Sequence, residues 1–401
     1  MIRWLPYGLA VATTVPWLGS MRGHESFGHV VTAVMTGFAI LASAFLLSWA
    51  CEVAEVDVPK ALAVSVLALV AVLPEYAVDA TFAWNAAHDP PQAAYAVANM
   101  TGGNRLLLGL GWTSLLLLAY FKFKKPAIAL DAEVGADVAI LLIATLYAMV
   151  PVWRGSLNLV DTAVYVTLYL LYLVASARGV NENEDTEEVV GPAQALAALP
   201  ALQRRIGVVV LFVFAAAVIF VSAEPFAESL VASGRGWGID EFVLVQWVAP
   251  FASESPEVIV CVLMVLKGHS STGLRMLISS NVNQWTLLVG TLGAVYSISK
   301  GEPSALPMDP RQQTEVLLTA AQCLFALVAI ADLEFSLWQG VVLTSLFLVQ
   351  VIFQDSHAWV GGSYLVMFVG VLLMHKASRD GIARSFRTLF SMLRGKGPSA
   401  A

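Results

Sequence analysis

Apolar runs of roughly 17–25 residues, each long enough to cross a bilayer, recur from one end of the 401-residue chain to the other. In lipid every backbone polar group must find its partner within the protein, so segments of this length fold as membrane helices. Composition agrees. The chain is 58% hydrophobic and 13% charged, with mean hydropathy +0.75, whereas a soluble domain carries about 25% charged residues. The expected fold is all-α and polytopic, with about twelve transmembrane helices. They fall at 5–20, 28–51, 61–87, 92–121, 134–153, 157–177, 205–231, 239–267, 272–298, 313–332, 336–354 and 358–375. The first, interrupted by Pro6 and Pro16, lacks the small-residue cleavage site of a signal peptide.

The basic residues orient this bundle. With the N-terminus inside, sixteen of the 22 Lys and Arg fall in cytoplasmic segments, five outside, and Arg105 within the membrane. That bias follows the positive-inside rule and places both termini in the cytoplasm of a cell (inner or plasma) membrane. The one long polar break, Arg178 to Arg205, contains the acidic run 182–188 and reads as a solvated linker. Beyond His375 the tail alternates basic and apolar residues. It suits either a short helix on an anionic membrane surface or a plain positive-inside anchor. Cys51, Cys261 and Cys323 have no metal-ligand spacing and read as small apolar filler.

Ionisable groups inside membrane segments are costly and mark function. Glu75 follows Leu73-Pro74 in one apolar run, Glu257 follows Ser255-Pro256 in another, and an asparagine stands 24 positions after each, Asn99 and Asn281. Matching sites in two halves indicate a transporter built from a repeated unit. With the first and last spans set aside as extras, five remain on each side of the linker, and an odd number per half inverts the topology of the second repeat. The expected organisation is an extra N-terminal helix (1–27), repeat one (28–177), a cytoplasmic linker (178–204) and repeat two (205–354). An extra C-terminal helix (355–375) and a basic cytoplasmic tail (376–401) complete it.

A proline inside a membrane helix frees backbone carbonyls, and carboxylate, amide and hydroxyl oxygens beside it form a hard-oxygen cation site. Repeat one offers Glu75, Asp79, Asn99 and Asn104. Repeat two offers Ser253, Glu254, Ser255, Glu257 and Asn281. Asp79 is either a direct ligand or the partner of Arg105, and Glu254 either faces the ion or a vestibule. Arg105 is a candidate counter-ion for Asp79 or Glu75. The paired glycines of Asn99-Met100-Thr101-Gly102-Gly103-Asn104 permit close helix approach. Two neighbouring buried carboxyls resist being charged at once, so protons can stand in for the cation.

The segments Ala252-Ser253-Glu254-Ser255-Pro256-Glu257 and Ala98-Asn99-Met100-Thr101-Gly102-Gly103-Asn104 resemble the two α-repeat motifs of the calcium/cation antiporter superfamily, the sodium/calcium exchanger group. The resemblance covers roughly 28–354. It implies that Glu75 and Glu257 are the central cation ligands and that Asn99 and Asn281 line the same site. The chain departs from the pattern at Ala71-Val72, where the family has Thr-Ser, at Gln284-Trp285-Thr286, and in carrying Asp79 and Glu254. These departures bear on the family's sodium sites more than on its divalent site.

The function expected is secondary exchange of Ca²⁺, or another small cation, for Na⁺ or H⁺ by alternating access. The alternatives are a Na⁺/H⁺ exchanger on the same fold, or a non-exchanging cation pathway or regulatory membrane protein. The partners expected are small inorganic cations and the lipid bilayer, with no nucleic acid and no cofactor. Neither a phosphate-binding loop nor an H-E-x-x-H pattern occurs, and no facing Ser-His or paired-Asp constellation suggests an enzyme.

Overall fold

The structure, a computed structural model of the chain, describes residues 2–21, 27–57, 73–179 and 189–396. It is helical nearly throughout. The helices are α1 (Leu5–Ser20), α2 (His29–Ala54), α3 (Leu73–Asn85), α4 (Gln92–Leu106), α5 (Trp112–Phe123), α6 (Val134–Tyr147), α7 (Met149–Arg154), α8 (Leu159–Gly179) and α9 (Ala193–Ala197). They continue with α10 (Ala201–Trp237), α11 (Glu241–Lys267), α12 (Ser270–Asn283), α13 (Val289–Lys300), α14 (Pro310–Ile330), α15 (Leu337–Ile352), α16 (His357–Met374) and α17 (Lys376–Leu393). Among the described residues, eight helical stretches are long and apolar enough to cross a membrane, and α15 is apolar but shorter. The protein is therefore a multi-pass helical membrane protein. The expected span 61–87 is described only from residue 73, and Ala71-Val72 lie outside the described residues.

The chain divides into two units, Met1–Phe82 with Glu182–Val260, and Ala83–Asn181 with Cys261–Ala401. In the first, α2 lies along α10. Small residues let them approach, and a Cβ on Gly37 would sit 3.1 Å from the Phe226 ring. The N-terminal helix α1 packs on α2 through Tyr7 and Trp49, whose rings are 5.0 Å apart. The 37 residues of α10 span about 55 Å at 1.5 Å per residue, well beyond a hydrocarbon core of about 30 Å.

The expected solvated linker is only partly that. Residues 181–188 lie outside the described residues, but the chain beyond them folds back onto the first unit. Ala193 and Leu196 of α9 are buried in a cluster with Leu46, Trp49 and Ala50. The Val190 N–H donates to Glu52, and Arg204 holds Asp57 through two hydrogen bonds of 2.7 and 2.8 Å.

The second unit has α14 at its centre, buried along almost its whole length. A capping box starts it: Asp309 accepts from the Gln312 N–H at 2.9 Å and Gln312 accepts from the Asp309 N–H. Two short antiparallel ladders tie loops together, Ala127–Ala129 with Glu334–Ser336 and Ser156–Leu157 with Leu306–Pro307.

The tail is a helix, α17, and its inner face is docked. Ser378, Gly381, Ser385, Thr388 and Met392 form a buried stripe. A Cβ on Gly381 would lie 1.9 Å from the Ala331 carbonyl oxygen, and one on Gly135 would lie 3.2 Å from Thr388. Arg178 donates to the Leu393 carbonyl at 2.5 Å. Small residues at helical spacing thus let the tail cross the ends of α14, α6 and α8, which basic patterning alone did not reveal.

Candidate ion site

In the first unit Pro74 and Glu75 open α3, and Asp79 follows one turn later, so both carboxyls share a face. Glu75 and Asp79 are buried. From α11 come Ser253, Glu254, Ser255 and Glu257. Pro250 and Pro256 stand inside this helix, and each removes one N–H from its hydrogen-bond ladder. Glu254 is buried and Glu257 half-buried. The Glu75 carboxyl lies within electrostatic reach of Glu254, Asp79 and Glu257. Ser253 donates to the Ala249 and Pro250 carbonyls at 3.3 Å, and Ser255 donates to the Phe251 carbonyl. Both hydroxyl oxygens keep acceptor capacity. Among the described residues no three His, Cys, Asp or Glu side chains are arranged to hold a metal ion.

The second unit holds the amides. Asn99, Asn104 and Asn281 are fully buried. Asn281 Nδ2 donates to Asn104 Oδ1 at 3.1 Å, and Trp112 Nε1 donates to Asn281 Oδ1 at 3.0 Å. Each of these paired asparagines precedes a π turn by three residues, Asn104 before Leu107–Gly111 and Asn281 before Gln284–Leu288. Such turns are rare and concentrate at functional positions. The amides that meet are those of Asn104 and Asn281, and Asn99 is buried about one and a half turns earlier on the helix of Asn104.

Arg105, expected beside Asp79 or Glu75, makes its ion pair with Glu315 on α14 at 2.5 Å. Its second nitrogen donates to Gln350 Oε1 at 2.9 Å. Sequence reasoning also missed Asp137, which is buried, accepts from Ser279 at 3.2 Å and lies beside Arg275. The rule that singled out Glu75 applies equally to Glu315 and Asp137, both acids in apolar spans. For Trp112 no signal preceded the structure.

Membrane-crossing helices interrupted by proline and π turns, with carboxyls and amides buried at the interruptions, define a secondary transporter of ions. The profile of the sodium/calcium exchanger proteins matches residues 28–178 and 207–354, and the chain belongs to that family. A solved structure of an H⁺/Ca²⁺ exchanger, CAX, is 40% identical, with TM-score 0.92, covering 98% of this chain and 99% of its own. The putative antiporter CaxA of Alkalimonas amylolytica is 23% identical over 257 residues, which is 62% of this chain and 76% of that protein. A structure of the sodium-calcium exchanger NCX_Mj is 14% identical with TM-score 0.53, covering 80% of this chain and 98% of its own, a likeness of fold alone. The chain's relatives are thus calcium and cation exchangers.

Proposed function

We propose that the protein exchanges Ca²⁺ for H⁺ across the cell membrane by alternating access. The observation that carries this reading is the gathering of four acidic side chains in the first unit, Glu75 and Asp79 on α3 with Glu254 and Glu257 on α11, within electrostatic reach of Glu75. A divalent cation needs ionised oxygens, so its arrival at these groups expels the protons bound there, and the protons' return expels the cation. Competition for one set of oxygens makes the transport an exchange rather than a leak. Glu75 and Glu257 are the central ligands, with Glu254 and Asp79 adding charge. Ser253 and Ser255 of the same unit supply neutral oxygens. The likeness to an H⁺/Ca²⁺ exchanger supports proton over sodium coupling, as does Ala71-Val72 in place of the family's Thr-Ser.

The repeat organisation belongs to this proposal. Two five-span halves, 28–177 and 205–354, enter the membrane from opposite faces with both termini cytoplasmic, and the first helices of each half rock to alternate access. The matched π turns support a repeat. Proton release measured as purified protein is titrated with calcium tests the coupling. Release at neutral pH that disappears in Glu75→Gln is the expected result; calcium binding without proton release contradicts it.

A further inference from the structure

The tail helix α17 carries two opposite stripes. The docked one, Ser378, Gly381, Ser385, Thr388 and Met392, is buried against the second unit. The outer one holds Lys376, Arg379, Ala383, Arg387, Phe390 and Arg394, all exposed, with Phe390 56% open. Lys376 and Arg394 stand eighteen residues apart, five full turns, so the stripe runs straight along the helix.

The contacts of α17 fix its depth. Only His375 separates it from α16, whose last residues Leu373 and Met374 are 71% and 88% exposed, bare apolar side chains at the end of a membrane-crossing helix. Arg379 turns back and donates to the Leu372 and Leu373 carbonyls at 3.0 and 2.7 Å, capping that end. Further along, α17 meets Ala331 just past α14, Gly135 at the start of α6, and Arg178 at the end of α8. Each of these is the terminus of a membrane-crossing helix. The axis of α17 therefore runs along the membrane surface, at the level of the lipid headgroups. Its one acid, Asp380, and Asp332, which lies beneath Gly381, belong to its N-terminal half. Arg387, Arg394 and Lys396 are left around Phe390, and among the described residues their side chains have no hydrogen-bond or ion-pair partner.

We propose that the outer stripe of α17 binds anionic phospholipid headgroups of the adjoining leaflet. Arg387, Arg394 and Lys396 take the phosphates, where guanidinium forks match phosphate oxygens, and the Phe390 ring enters the boundary between headgroups and acyl chains. An anionic leaflet attracts each such cation, and several act together. The docked stripe is mostly hydroxyls and glycine and buries little apolar area, so the lipid contact holds the tail against α14, α6 and α8. A plain positive-inside anchor needs only a count of charges. Here the charges are set on the face opposite the docked one, with an exposed aromatic ring among them. The proposal goes beyond the exchanger reading and holds whichever ions are exchanged.

Hydrogen exchange of the full chain tests it, in nanodiscs of phosphatidylcholine alone and of phosphatidylcholine mixed with phosphatidylglycerol. Phosphatidylglycerol should slow exchange across Lys376–Leu393 several-fold in wild type. Salt at about 1 M, where screening leaves a reach of only about 3 Å, should remove most of that gain. The triple variant Arg387→Gln, Arg394→Gln, Lys396→Gln should exchange alike in both lipids. The double variant Arg387→Lys, Arg394→Lys should keep the response, because it keeps the charge. Equal exchange of wild type in both lipids overturns the proposal and leaves a plain anchor. A phosphatidylglycerol response undiminished in the triple variant overturns it as well. So does protection that is the same in both lipids and disappears when the acids of 182–188 are replaced by amides, an outcome that assigns the stripe to that acidic run. Should the triple variant not fold, the wild-type comparison between lipids and its salt dependence decide.

Discussion

Single residues divide here into those that meet the ion and those that hold others in place. On the proposed reading Glu75 and Glu254 are charged ligands of the ion, and glutamine at either position removes one of them. A charge-assisted hydrogen bond contributes about 1.5–3 kcal/mol. Glu75→Gln and Glu254→Gln should therefore each lower calcium affinity by about 10–100-fold, measured as flux against calcium concentration. Arg105 belongs to the second kind. Arg105→Ala leaves the Glu315 charge buried without its guanidinium, and such a loss costs about 3–5 kcal/mol, visible as a lower unfolding temperature. Double replacement with Glu315→Gln should recover much of it. Glu75 and Glu257 could be found from sequence because an acid in an apolar run is conspicuous wherever its partner lies. The pairing of Arg105 could not, because Glu315 stands 210 positions away and nothing local distinguishes it from Asp79 as a partner.

Elements show where local pattern was informative and where packing decided. The prolines of α3 and α11 were legible in the sequence, whereas the π turns at Leu107–Gly111 and Gln284–Leu288 have no residue signature of their own. They follow Asn104 and Asn281, whose side chains meet, a contact the 24-residue spacing did not point to. The tail helix α17 is a second case. Its basic face was legible, but the meaning of Ser378, Gly381 and Ser385 depended on α14 and α6. A methyl group on Gly381 would overlap the Ala331 carbonyl, so Gly381→Ala should cost about 1–3 kcal/mol through overpacking and speed proteolysis of the tail.

The end of the linker is a pH-sensitive element. The Arg204 and Arg205 side chains beside Asp57 hold its carboxyl down to about 2, below its ordinary value of about 3.9. A depressed carboxyl stabilises the folded form above the unfolded value and stops doing so as pH falls toward the folded one. Hydrogen exchange at Ala193–Ala197 should accordingly quicken as pH drops from about 4 to 2, after correction for intrinsic rates. Asp57→Asn should show the faster exchange already at neutral pH.

At the scale of the whole molecule, repeating apolar runs made the polytopic class unavoidable, and the family profile covers both halves of the chain. What the residues alone left open was the coupling ion, because calcium, sodium and proton all compete for the same oxygens. The account turns on that choice. Calcium uptake into proteoliposomes, driven in separate experiments by an imposed pH gradient and by a sodium gradient, tests it most directly, with Glu257→Gln as the control. The account predicts uptake under the pH gradient, none under sodium alone, and loss of uptake in the variant. Uptake driven by sodium with the pH gradient collapsed, or uptake undiminished in Glu257→Gln, would contradict it.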